Sequence, residues 1–199
     1  MDMTVEPERA PLRGRTILIA SGAWAGAVAV LSAAGVFTSL PLPLFGVTVG
    51  LLLTALTLTY FGSPALREWV AGFGLRRLTA LHLWRIPAAL AFFHAGTAGT
   101  LPPIFVMLAG CGDLVAGLMA GAVVFAWPRS RRAYWAMHVV GMADFVLAVG
   151  TGLVLSLMAV PAMSTIAAFP LALIPLFGVT LSGASHMMAF HLLVTRRGL

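Results

Sequence analysis

Eight ionisable side chains sit inside runs that are otherwise apolar: His82, Arg85, His94, Asp113, His138, Asp144, His186 and His191. Where such runs lie in lipid, each group costs a few kcal/mol or more unless it turns inward to a partner. Arg85 has two acidic partners to choose from, Asp113 and Asp144. Two carboxylates against one guanidinium leave surplus negative charge unless one is protonated. A buried set of Arg85, Asp113 and Asp144, assisted by His186, is therefore equipped to carry a proton or to recognise a cation. The imidazoles offer different chemistry. His82, His138 and either His186 or His191 come from three separate apolar runs, and neutral imidazole ligates haem iron, zinc or copper. Two facing histidines would suit haem b, with Arg76, Arg77, Arg131 and Arg132 near its propionates. The spacing fixes no metal, because there is no His-Glu-x-x-His, no paired Glu-x-x-His and no multi-histidine box. The plain alternative is a structural one: an Arg–Asp pair can simply lock helices, and intramembrane hydrogen bonds average about 0.6 kcal/mol.

The elements that must position these groups follow from composition. Of the 199 residues, 60% are hydrophobic and 9% charged, against roughly 45–50% and about 25% in soluble domains. So few charges cannot cover a water-soluble fold, and apolar runs near twenty residues mark membrane spans. The expected fold is all-α, a polytopic bundle of six transmembrane helices over 16–195. Its spans are Thr16–Phe37, Leu42–Gly62, Leu78–Ala98, Ile104–Trp127, Ala133–Val160 and Ala168–Thr195. A basic tail (1–15) precedes it and a short end (196–199) follows. The first run exceeds a signal-peptide core of about 7–15 residues and is read as a retained span.

The net charge is +6, and the basic residues are all arginine, in clusters on alternate connections. Arg9, Arg13 and Arg15; Arg67, Arg76 and Arg77; Arg129, Arg131 and Arg132; and Arg196 and Arg197 alternate with the uncharged segments 38–41, 99–103 and 161–165. The positive-inside rule places both termini in the cytoplasm. This spread of arginines is a topology signal and speaks against nucleic acid as a partner. Tyr60, Trp69, Trp127, Tyr134 and Trp135 fall at the same boundary, where amphipathic rings settle. Leu66, Trp69, Val70 and Phe73 recur at helical spacing beside Arg67 and Glu68, which predicts a short interfacial helix within 63–77.

At ~1.5 Å of rise per residue, His82, His138 and His191 lie about 6–8 Å from the cytoplasmic end, Arg85 and His186 deeper, and Asp144 and Asp113 deeper still. His94 is placed at the outer boundary. Each polar group shares a helical stripe with small residues: Asp113 with Ala109 and Gly117, Asp144 with Ala148 and Gly152, Arg85 with Ala88 and Ala89, His186 with Ser182 and Gly183. Pairs of glycines four apart at Gly22/Gly26, Gly46/Gly50 and Gly117/Gly121 suit close helix contacts. Pro170 and Pro175 predict a kink in the last span. Cys111 reads as a packing residue. No phosphate loop, nucleophile elbow or dinucleotide fingerprint is present, so no catalytic residue is assigned and an enzyme is the lesser expectation.

The pattern Arg85, Leu101-Pro102-Pro103-Ile104-Phe105, Ala109-Gly110-Cys111-Gly112-Asp113 and Gly117, followed by Gly141, Asp144-Phe145 and Ala148-Val149-Gly150-Thr151-Gly152, resembles a group of small bacterial inner-membrane proteins of unassigned function. That resemblance implies a multi-pass protein of the bacterial inner membrane and carries no activity. Three readings follow. The first is a small-solute or proton-linked carrier or channel built on Arg85, Asp113, Asp144 and His186. The second is a haem- or metal-binding redox protein using His82, His138 and His186 or His191. The third is a structural subunit, self-associating or attached to a partner chain in the bilayer.

Overall fold

The computed structural model describes residues 10–198. Arg9 and the side chain of Arg13, both assigned to the basic tail, lie outside what it describes. Eight helices follow one another, with no strand among the described residues. They are α1 (Ala10–Ala33), α2 (Leu42–Gly62), α3 (Pro64–Phe73), α4 (Leu75–Ala80), α5 (Arg85–Thr97), α6 (Pro103–Phe125), α7 (Arg131–Leu157) and α8 (Ile174–Thr195). α1 from Gly14, α2, α6, α7 and α8 are each long and apolar enough to cross a membrane. The third expected span is instead a composite: α4, a 3-10 segment Leu81–Trp84, then α5.

Local chemistry explains the boundaries. The Ser63 hydroxyl accepts from the Leu66 N–H to start α3, and Ser130 does the same for Ala133 at the start of α7. α3 ends at Gly74, whose φ of 86° only glycine adopts without strain. The helix expected within 63–77 is thus present as α3. The last span begins later than its apolar composition implied. Residues Pro161–Ala167 wind into a 3-10 segment and Pro170 sits in a turn ahead of the helix. Pro175 lies within a π-helical turn, Ile174–Val179. Lacking an N–H, it cannot complete an ordinary α ladder, and the Thr180 hydroxyl donates to its carbonyl at 3.3 Å. A second π turn, Val106–Gly110, sits in α6 just before Asp113.

Two apolar clusters form the interior. One gathers Phe45 and Val49 of α2, Phe92 of α5, Phe105 and Ala109 of α6 and Ile174 and Leu176 of α8. The other gathers Tyr60, Leu78, Val123, Met137, Met188 and Leu192. Along their helices, Arg85, Asp113 and Asp144 fall between residues of the two clusters. The fold is therefore a polar layer held between apolar ends. The outer surface is apolar as well, with Leu51, Leu118, Val146 and Leu157 all exposed. Such a surface is a liability in water and the normal state in lipid.

α1 is peripheral. It touches chiefly the π turn of α8 and α3, and Trp24 meets Phe177 edge-on at 4.8 Å. Gly22 and Gly26 face open space, so that pair is not a helix contact; of the second pair Gly50 is open and Gly46 meets only Leu153, whereas Gly117 abuts the Ile86 backbone.

Candidate functional site

Arg85 opens α5 directly after the 3-10 segment, and its side chain is 3% exposed. All three guanidinium nitrogens have acceptors. Nε donates to Asp113 Oδ1 at 2.6 Å, Nη1 to the Gly141 carbonyl at 3.3 Å and Nη2 to Asp144 Oδ2. Helices α5, α6 and α7 are thereby tied at one point. The remaining oxygen of Asp144, Oδ1, is buried without a partner. Glycine makes this approach feasible. A Cβ at Gly112 would collide with the Asp144 carboxylate, and one at Gly141 would lie 2.6 Å from His186 Cε1 and 3.5 Å from Arg85 Nη1. Gly141 thus accepts from Arg85 and leaves room for His186 beside it.

Arg85 and Asp113 line a cavity of about 250 Å³ whose walls are mainly apolar and aromatic, with Phe45, Trp84, Phe92, Phe105 and Phe145 among them. Met163 and Ile166, from the connection between α7 and α8, also line it. A larger apolar groove of about 1120 Å³ runs between α1 and helices α5 and α8. Trp84 borders both spaces. Its indole N–H donates to Ser182 Oγ at 2.9 Å, and its ring occupies the notch left at Gly178.

Three histidines form a second group, one turn or more along the helices from Arg85. His82, His138 and His186 are fully buried, and one ring nitrogen from each lies within 4.8 Å of the others. His138 Nδ1 and His186 Nδ1 are 2.9 Å apart. Thr79 Oγ1 meets His138 Nε2 at 3.0 Å, and Ser185 Oγ meets His82 Nε2 at 2.9 Å. The two groups adjoin at Gly141.

Residues 42–194 match a family described only as a domain of unknown function, DUF8737. The chain belongs to this family. No curated protein and no solved structure matches it.

The DUF8737 domain contains every member of both polar groups and leaves α1 outside. Within it, His191 stands apart from the other histidines. Its Nδ1 meets the Tyr60 hydroxyl at 2.6 Å, and Phe61 packs on its ring. His94 is exposed, and Cys111 is also exposed, unlike the packing role expected of it. Haem b does not fit between His82, His138 and His186. Their ring centroids are 4.1–5.4 Å apart, which leaves no width for a porphyrin bound on both faces.

Sequence reasoning missed several partners in the DUF8737 domain. Thr79 and Ser185 hold two of the imidazoles, and nothing marks their hydroxyls among the many others in these helices. The arginines also do more than set charge bias. Arg76 Nε donates to the Val124 carbonyl at 3.2 Å, Arg131 to that of Leu193 and Arg67 to that of Phe61. Those carbonyls belong to the last turns of α6, α8 and α2, where helices lack internal donors and the dipole favours cations.

Proposed function

We propose that this protein crosses the bacterial inner membrane six times with both termini in the cytoplasm, and that it moves a small, largely apolar solute with or against a proton. Five helices of spanning length support the crossings, and the α4–α5 run supplies the third of six. The arginine-bound C-terminal ends of α2, α6 and α8 support the orientation, since the positive-inside rule puts that face in the cytoplasm.

One observation carries the transport reading: Arg85 and Asp113 line the cavity of about 250 Å³, with Asp144 on the same guanidinium. Apolar walls would bind the body of a small molecule. The polar cluster pairs one cation with two acids, so one negative charge remains for a proton or a cationic solute to balance. A site meant only for locking helices has no need of a cavity above it.

The test is flux in proteoliposomes carrying an internal pH-reporting dye, challenged with small amines, small carboxylates and neutral solutes. A solute-driven pH change above that of empty vesicles is expected. It should be lost in Asp144→Asn that still assembles as a monodisperse species. Flux equal to empty vesicles across all three classes would refute transport. So would unchanged flux in both Asp113→Asn and Asp144→Asn. Failure of both variants to assemble would favour the structural-subunit reading.

A further inference from the structure

We infer that His82, His138 and His186 bind a single first-row transition-metal ion of the zinc–copper class, at a site separate from the Arg85 cluster. The three rings are contributed by the 3-10 segment before α5, by α7 and by α8. All three are fully buried.

Satisfying both hydrogen bonds of Ser185 at once selects one tautomer of His82. The Ser185 hydroxyl has a single proton, and it donates that proton to the Ser182 carbonyl at 2.9 Å. Toward His82 it can only accept, so His82 Nε2 carries the ring hydrogen. His82 Nδ1 is then a bare lone pair, and it has no partner. The contact between His138 Nδ1 and His186 Nδ1 also needs a lone pair on one side. His186 Nε2 is a second buried orphan. A buried polar atom left unpaired costs roughly 1–3 kcal/mol. Three imidazoles packed only for stability would not leave two such atoms in an apolar bundle.

An ion removes this conflict. One nitrogen per ring lies within 4.8 Å of the others. Metal–nitrogen bonds of about 2.0–2.1 Å in a tetrahedral set place ligand nitrogens roughly 3.4 Å apart. The rings therefore need to close by about an ångström or slightly more, a shift within the reach of side-chain torsions. Ligating histidines usually hydrogen-bond through their other nitrogen to a fixed partner. Ser185 stands in that relation to His82, and Thr79 to His138. An all-imidazole set excludes magnesium and calcium, which require oxygen ligands.

The probe is Co²⁺, titrated into purified full-length protein in detergent after treatment with a chelator. One equivalent should produce the visible ligand-field bands of a tetrahedral site, and Zn²⁺ should abolish them. His138→Ala and His82→Gln should lose the bands, and His191→Ala should keep them. Ser185→Ala should weaken binding by about 10- to 100-fold. Monodisperse wild-type protein that takes up no Co²⁺ overturns the proposal. So do bands that persist in His82→Gln and His138→Ala, or that vanish in His191→Ala. If His138→Ala does not assemble, His82→Gln and Ser185→Ala decide the matter alone. The readout requires no flux, so this site and the transport reading stand or fall separately.

Discussion

Arg85 commits every nitrogen it has: two to carboxylates and one to a backbone carbonyl. Removing it would leave Asp113 and Asp144 facing each other without a counter-ion. Breaking a buried ion pair from one side typically costs about 3–5 kcal/mol. Arg85→Gln should destabilise by that order in reversible unfolding from detergent. Asp144→Asn should cost less, since Asp144 Oδ1 is already without a partner and an amide can still accept from Arg85. Equal stability of Arg85→Gln and wild type would contradict this. These three residues were legible because charge in an apolar run can stand in few places. The histidines were legible only in part. Depth along a helix grouped His191 with His82 and His138, but depth says nothing of azimuth, and His191 turns toward Tyr60. Thr79 and Ser185 gave no signal, because a hydroxyl is ordinary in any helix.

The helices can converge on Arg85 only where glycine lets them. Gly112→Ala would put a methyl into the Asp144 carboxylate, and Gly141→Ala would put one against His186. Each should cost about 1–3 kcal/mol, the usual range for overpacking. Gly22→Ala and Gly26→Ala should be silent or mildly stabilising, since nothing lies within 4 Å of either. Thermal unfolding of the four variants separates the groups, and a silent Gly112→Ala would argue against the close approach of α6 and α7. At this scale five of the six expected spans were readable from hydropathy as long helices, and the third is instead broken into α4, a 3-10 segment and α5. Of their irregularities, Pro175 signalled the one at 174–179, while the π turn at 106–110 and the 3-10 segment at 81–84 leave no mark in hydropathy.

The whole molecule places a polar layer between two apolar clusters inside an apolar exterior, an order that suits lipid on the outside. The proposed topology puts the ends of α2, α6 and α8 in the cytoplasm. In a Cys111→Ser background, Arg132→Cys and Arg197→Cys should react with an impermeant thiol reagent only from the cytoplasmic face. Thr100→Cys and Ser164→Cys should react only from the opposite face. Labelling of position 132 and position 197 from different sides would break the six-crossing scheme. The proposed topology rests on the alternation of arginines, which needs only a count along the chain. The three-histidine cluster needs the fold itself, since its members are 48 to 104 residues apart.

The central claim is that the buried charges at Arg85, Asp113 and Asp144 exist in the bundle for one another. The most direct test compares the unfolding free energy of Arg85→Gln with that of the triple variant Arg85→Gln/Asp113→Asn/Asp144→Asn. Neutralising a whole buried ionic group is often near neutral, whereas stripping one partner is not. The triple variant should therefore recover most of the stability that Arg85→Gln loses. A triple variant no more stable than Arg85→Gln would mean that these side chains do not balance each other's charge.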